Sequence, residues 1–277
     1  GPASPLRGGI SDFNEALAKS LTVKGYLVEI ISFSLQYPKF LFPGKSQNRV
    51  EQTENFKFKI SPLINSINPI SWWRTAKYIK GKNPNKVFIR FWMPFFAPCL
   101  GVIGGYLKKN KIPVYGIIDN AVAHEKRLGD AILVNYFLNK CKSHFTLSEK
   151  VKQDIYKINN SVSVESLFHP IYNTYSKITD KDSALKRLNL KEGKYILFFG
   201  LIRKYKGLDL AIKAMSNKSI IKKNIKLIIA GEFYDSEEKY QNLIRDLNLK
   251  NIIIYNQFIE NKQVPDFFSV SNLVILP

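Results

Sequence analysis

Sulfur is scarce in this chain of 277 residues, which holds two cysteines and two methionines. Cys99 and Cys141 have no metal-ligand spacing, which excludes a zinc finger and a disulfide scaffold and fits a reducing compartment. Acid is scarce as well: 22 Asp and Glu stand against 42 Lys and Arg, for a net charge of +20. The deficit is uneven. Residues 1–150 carry 22 cations and 9 anions (+13), residues 151–277 carry 20 and 13 (+7). Such a field favours phosphates, nucleic acid or an acidic membrane face, and also serves plain solubility. A membrane-spanning run is missing. The most apolar stretch, residues 87–107, is cut by Arg90, Pro94 and Pro98, whereas a spanning helix needs about 20 apolar residues in a row. It reads instead as a strand, a turn and a core helix. There is no internal repeat, no low-complexity tract, and no G-x-G-x-x-G opening a helix.

What is present is alternation. "SDFNEALAKSLTVKG" has Ser11 as N-cap, Phe13, Leu17 and Leu21 on one face and Gly25 as a stop. The strand "YLVEIISF" follows, and residues 34–55 read as a long loop of the kind that is usually functional. "FKFKI" is a short strand, and Asn68 and Pro69 start the helix "NPISWWRTAKYIKGK". Next come strand "KVFIRFW", helix "APCLGVIGGYLKKNK", strand "IPVYGIID", loop 119–129, helix 130–140, strand "SHFTLS", helix "EKVKQDIYKI" and strand "SVSVESLF". A boundary falls at "HPIYNTYSKITD". Beyond it the pattern restarts as "KDSALKRLNL", "KYILFFG", "LDLAIKAMSN", "IKLIIAGEF", "SEEKYQNLIRDLN", "NIIIYNQF", "QVPDFFSVS" and "LVIL". Continuous apolar strands between helices imply parallel sheets covered on both faces. The expected fold class is therefore α/β: two Rossmann-like, doubly wound domains, residues 1–172 and 173–277. The pattern opens at a helix and closes on a strand, so a first strand and a C-terminal portion are expected outside it.

Ligands of open α/β sheets collect at the C-terminal ends of strands, and three loops qualify. In "GPASPLRGGISDFN", Gly8 and Gly9 precede a helix N-terminus, where backbone N–H groups and the helix dipole suit an anion. Arg7 adds charge; the alternative is a tight turn with no ligand. In "FFGLIRKYKG", a buried strand ends in a cluster of cations, and Arg203 and Lys206 suit a diphosphate, stabilising charge on a leaving phosphate. The alternative is a solvated basic turn. In "IIDNAVAHEK", Asp119, His124 and Glu125 follow a strand end, and His124 can orient a hydroxyl or a sugar oxygen. His144 reads as core and His169 as a hinge or packing residue. Trp72 and Trp73 lie on a basic amphipathic helix and can meet a membrane interface or an aromatic-lined pocket, though at least one should be core.

Together "GPASPLRGG", "DNAVAHEK", "FTLSEKVKQDI", "FHPIY", "FFGLIRKYKGLDLAIKAM", "IIAGE" and "VPDFFSVSNLVILP" resemble, in order and spacing, the retaining family 4 glycosyltransferases with the GT-B fold. "RGGISDFNEALAKSL" with "EIISFSLQYPKFLFPGKSQ" looks like the bacterial members assigned to envelope polysaccharide or lipid-linked glycan synthesis. The resemblance implies two Rossmann-like domains across a cleft and a nucleotide-sugar held by the second. It implies that Arg203 and Lys206 grip the diphosphate and that Gly8 and Gly9 approach the donor. Gly231 and Glu232 would line the nucleotide pocket, Phe258 would lie near the base, and His124 would face the transferred sugar or acceptor. It implies no metal and no cofactor, a glycan or lipid-linked acceptor, and a cytoplasmic protein, peripheral at an anionic membrane face. Two departures stand out. Leu201 occupies the position after the glycine of "FFG" where many relatives carry arginine. The family's paired-glutamate motif would fall beyond Pro277, so the polypeptide as given is expected to be inactive. Two alternatives come from other classes: a nicotinamide-dependent oxidoreductase, which tandem Rossmann units permit, and a nucleic-acid-binding protein, which the charge permits but no recognised motif supports.

Overall fold

The computed structural model describes residues 1–39, 42, 44–49, 56–122, 127–171 and 178–277. The first part of the chain runs α1 (Gly9–Val23), β1 (Glu29–Leu35), β2 (Lys59–Asn65), α2 (Pro69–Gly81), β3 (Val87–Phe91), α3 (Ala97–Lys109), β4 (Val114–Ile118), α4 (Asp130–Leu138), β5 (Ser143–Thr146), α5 (Glu149–Ile158) and β6 (Val164–Ser166). The second runs α6 (Lys181–Arg187), β7 (Lys194–Phe199), α7 (Leu208–Ala214), α8 (Lys218–Lys222), β8 (Ile225–Ala230), α9 (Glu237–Asp246), β9 (Ile252–Tyr255), α10 (Val264–Val270) and β10 (Leu273–Val274). The contacts divide them into two units. Unit 1 is Gly1–Leu41 with Asn48–Ile171, and unit 2 is Phe42–Gln47 with Tyr172–Pro277. The segment Phe42–Gln47 therefore departs from a division made by chain order alone.

In unit 1, β1 pairs with β2, and β3, β4, β5 and β6 form a second sheet in chain order; every pairing is parallel. The interrupted apolar stretch resolves into β3, a 3-10 turn at Pro94–Phe96, and α3. Among the described residues no helix is long and apolar enough to cross a membrane. Phe91, Phe96, Leu100, Leu107, Ile118, Phe137 and Leu138 fill the core, and Phe91 stacks on Phe137 with ring centres 4.4 Å apart. The start of α2 follows from its cap: the Asn68 side chain accepts from the Ile70 N–H at 3.0 Å and Pro69 opens the first turn. His144 is core, with Nδ1 3.2 Å from the Ser163 carbonyl and Nε2 3.1 Å from that of Leu138. Burial pushes the Cys99 and Cys141 thiols up to about 12, so neither is a nucleophile at neutral pH.

In unit 2 the parallel sheet has the order β10-β7-β8-β9. Its side chains alternate between two cores. Tyr195, Leu197, Ile228 and Ala230 pack with Leu185 of α6 and Phe267 of α10. Phe198, Leu227 and Ile229 pack with Leu208 and Ile212 of α7 and Tyr240 of α9. Both faces are covered, which is why the strands read as unbroken apolar runs. α8 had no counterpart in the sequence pattern; Asn217 caps it by accepting from the Ser219 N–H at 2.9 Å. The strand order places the site. The chain steps outward from β7 to β8 to β9, then returns to the other side of β7 as β10. Strand order reverses at β7, and a reversal point is where open α/β sheets bind ligands, beyond the strands' C-terminal ends.

Candidate functional site

The loop leaving β7 at that reversal is the basic stretch beginning at Gly200. Gly200 has φ +101° and Gly231, just past the end of β8, has φ +152°. Their backbones touch: a Cβ on Gly231 would lie 2.0 Å from the Gly200 carbonyl oxygen. Only glycine fits there, so packing alone accounts for the identity of Gly231. Beyond the glycines the two strand ends stay bonded. The Ile202 N–H donates to the Glu232 carbonyl at 2.9 Å and the Tyr234 N–H donates to that of Ile202 at 2.9 Å. This fixes the base of the loop. Ile202 is buried beneath it; the half-buried Arg203 caps the start of the 3-10 turn Lys204–Lys206, and the half-buried Lys206 ends it.

Lys206 reaches back over the glycine, its Nζ 3.2 Å from where a Gly200 Cβ would stand. Burial, and then the charge of Arg203, hold its ammonium below the usual lysine range. Two cations that raise each other's cost leave a site that an anion relieves. The Arg203 guanidinium lies 5.0 Å from the centre of the Tyr234 ring.

Glu232 is 1% exposed, and its carboxylate accepts the backbone N–H of Lys45. Lys45 Nζ donates to the Asn256 carbonyl at 3.2 Å, and Phe42 meets Tyr234 edge-on at 5.7 Å. The segment Phe42–Gln47 thus covers the carboxylate proposed on sequence grounds to face a nucleotide. Phe258 is half-buried and follows the end of β9. Gly200, Arg203, Lys206, Gly231 and Glu232 come together at neighbouring strand ends. Tyr234, Asn256 and Lys45 were missed by sequence reasoning. Tyr234 and Asn256 follow strand ends and were open to the same argument as Gly231. Lys45 arrives from 187 residues away with no local signal.

In unit 1, Gly8 is the N-cap of α1 with φ +113° and no side-chain cap. A Cβ on Gly8 or Gly9 would meet nothing within 4 Å. Gly8 is thus required by its backbone angle rather than by crowding. The start of α1 is not basic: Asp12 in its first turn and Glu15 in the next are paired to Arg49 at 2.7 and 3.0 Å. Asp119 is held as well. It accepts both Nε and Nη2 of the buried Arg90. Burial pushes its carboxyl up, and Arg90 and then His169 pull against that. Asp119 is therefore a structural partner rather than a free group. His169 meets Phe13 edge-on at 6.0 Å, in keeping with a packing role. His124 and Glu125 lie outside the described residues. Among the described residues no cluster of His, Cys, Asp and Glu could hold a metal ion.

Residues 180–277 match the model of the family Glycosyl transferases group 1. No characterised protein sequence matches the chain closely enough to count as a relative. Solved structures share its fold. Sucrose-phosphate synthase from Thermosynechococcus elongatus aligns with a TM-score of 0.68 at 12% identity, over 98% of this chain and 70% of that one. HepE from Anabaena, solved in complex with UDP-glucose, aligns with a TM-score of 0.60 at 12% identity, over 78% of this chain and 60% of that one. WaaG, a glycosyltransferase involved in lipopolysaccharide biosynthesis, aligns with a TM-score of 0.57 at 16% identity, over 100% of this chain and 73% of that one. The chain thus spans 60 to 73% of the length of these structures.

Proposed function

We propose that the chain serves in an enzyme that acts as the family matched by its residues 180–277 does, transferring a sugar from a nucleotide-sugar donor to a glycan or lipid-linked acceptor. The observation that carries the reading is the pair Arg203 and Lys206 on a glycine-based loop at the point where strand order reverses. The family match over the same unit supports it, as does the fold shared with HepE, which was solved with UDP-glucose.

The diphosphate lies against Arg203 and Lys206. Charge builds on it as the bond from the anomeric carbon to the phosphate oxygen breaks, and two fixed cations stabilise that charge without reorganising. The acceptor oxygen bonds to the anomeric carbon on the face the diphosphate leaves, and its proton passes to the departing phosphate oxygen. This outcome is retention, and it needs neither a metal nor a protein base. Gly231 and Glu232 border the nucleotide, Phe258 lies near the base, His124 faces the sugar or acceptor, and the Gly8–Gly9 turn of unit 1 approaches the donor. The acceptor is assigned to the bacterial envelope because WaaG acts in lipopolysaccharide biosynthesis and because the cationic excess sits in residues 1–150.

Transfer from radiolabelled UDP-, GDP- and ADP-sugars by a protein that also carries the paired-glutamate motif tests the reading, with the product's anomeric configuration read by NMR. Lys206→Ala is expected to lower kcat/KM by about 10²–10³, the usual loss when one donor to a developing oxyanion is removed. Undiminished transfer by that variant overturns the phosphate role, and an inverted product overturns the stereochemistry.

A further inference from the structure

Past the ends of β8 and β9 the chain forms a floor braced by its own contacts. The Asn256 side chain accepts from the Phe233 N–H at 3.3 Å and donates to Glu237 at the start of α9. The bond from Ile202 to the Glu232 carbonyl ties this floor to the cationic loop. What the floor offers is acceptors: the Glu232 carboxylate and the Asn256 carbonyl. Residues 44–47 supply the donors. The Lys45 N–H reaches the carboxylate, and Lys45 Nζ reaches the carbonyl at 3.2 Å. The same segment is tight against Tyr234. A Cβ on Gly44 would stand 2.7 Å from the Tyr234 hydroxyl and 2.8 Å from its ring edge, and Phe42 meets that ring at 5.7 Å. The Arg203 guanidinium approaches the ring too, at 5.0 Å.

We propose that residues 44–47 stand in for the nucleoside half of the donor, and that the nucleotide binds by displacing them. The inference rests on the donor reading above and adds a means of regulating the same site. With a diphosphate on Arg203 and Lys206, the nucleoside runs along the adjoining strand ends, past Glu232 and Asn256, where the segment now lies. A carboxylate that is 1% exposed meets no ligand until its cover leaves. A ribose hydroxyl is itself a donor, so it takes over the carboxylate from the Lys45 N–H without leaving it buried and unpaired. A lid that closes over a bound nucleotide is the other role for such a segment. It fits less well, because the segment bonds to the floor directly and leaves no layer between them. Lys45 and Ser46 are exposed, so the segment lifts away without opening a core. The chain on both sides of Phe42–Gln47 belongs to unit 1, which makes the segment a tethered competitor with a high effective concentration. Nucleotide affinity is then reduced by the fraction of molecules in which the segment is docked.

Trypsin tests this in the unaltered protein, because cleavage after Lys45 requires that side chain to leave Asn256. UDP, GDP and ADP are first titrated calorimetrically. Saturation with the one that binds is expected to speed the Lys45–Ser46 cut severalfold, read by fragment mass. Inorganic pyrophosphate, which lacks the ribose, is expected to leave the cut unchanged. Lys45→Pro removes the N–H donor and Gly44→Val crowds the Tyr234 ring, so each should release the segment. Each should bind the nucleotide roughly two- to tenfold more tightly than the wild type, the worth of about one hydrogen bond in the docked state. A nucleotide that slows the cut makes the segment a lid and overturns the proposal. Binding with no change in cleavage overturns it, as do variants that bind no more tightly than the wild type; both leave the donor reading standing. Equal acceleration by pyrophosphate overturns it too, since the nucleoside would not be the displacing group. If neither the protein nor its released variants bind any of the three nucleotides, the donor reading falls and the proposal falls with it.

Discussion

Lys206 shows how burial prepares a cation for an anion. Its ammonium is partly desolvated and lies near Arg203, and both effects lower its pKa from 10.5. A bound diphosphate reverses the second effect and favours the charged form. The sign follows directly. The lysine must carry its proton to bind, and its folded pKa lies below the ordinary value, so affinity for a nucleoside diphosphate should fall as pH rises, beginning below 10.5. Lys206→Arg should bind at pH 7 and remain flat over the same range, because guanidinium keeps its charge. Isothermal titration of UDP against both proteins from pH 7 to the alkaline limit of folding checks this. A wild-type profile as flat as the variant's would mean that Lys206 is not the group in contact. The site's cations were legible in the sequence because an apolar run ended at a glycine and was followed by charge. The partners of Glu232 and Arg203 were not. Lys45 and Tyr234 reach them through tertiary contacts, one across 187 residues, and neither spacing nor composition carries such a pairing.

Where β7 and β8 end, two elements meet through bare backbone. The contact between Gly231 and the Gly200 carbonyl lets the sheet's hydrogen bonding continue to Ile202 and Tyr234. That continuation is what holds the cationic loop in register with the strand behind it. Gly231→Ala places a methyl group 2.0 Å from that carbonyl at φ +152°, so both the space and the angle are wrong. It should destabilise by more than about 1 kcal/mol. It should also weaken nucleotide binding beyond what lower stability explains, since the strand ends must part. Chemical denaturation with UDP titration of the still-folded fraction checks both parts. Wild-type stability would show that the strand ends are looser than their bonding implies. The strands and helices of unit 2 were readable because each strand is buried on both faces and so lacks polar interruption. α8 was not readable, being a short turn of helix that rests on the cap at Asn217 rather than on an apolar period. The division of α2 into an inward Trp72 and an outward Trp73 was expected in kind. Their assignment required the fold, because adjacent helical residues differ by about 100° in direction.

At the scale of the molecule, the apolar residues form separate cores. Unit 1 is built around Phe91, Phe96 and Phe137, and unit 2 around the two faces of its own sheet. Units with their own cores can unfold as separate cooperative transitions, and calorimetry is expected to resolve two. Core variants identify them. Phe137→Ala should lower the transition of unit 1 and Phe267→Ala that of unit 2, each by about 3–5 kcal/mol as expected for a buried phenylalanine. The nucleotide site proposed above draws on the loop from Gly200 to Gly207 and the strand ends beside it, all in unit 2. A ligand that binds only the native form of one unit stabilises that unit, by about 2.7 kcal/mol at a hundredfold excess over Kd. UDP, or whichever nucleotide the donor carries, should therefore raise the transition marked by Phe267→Ala and leave the one marked by Phe137→Ala in place. A shift confined to the unit 1 transition would put the nucleotide on the wrong sheet and remove Arg203 and Lys206 from the chemistry. A shift of neither, with every common nucleoside diphosphate tried, would remove the donor itself.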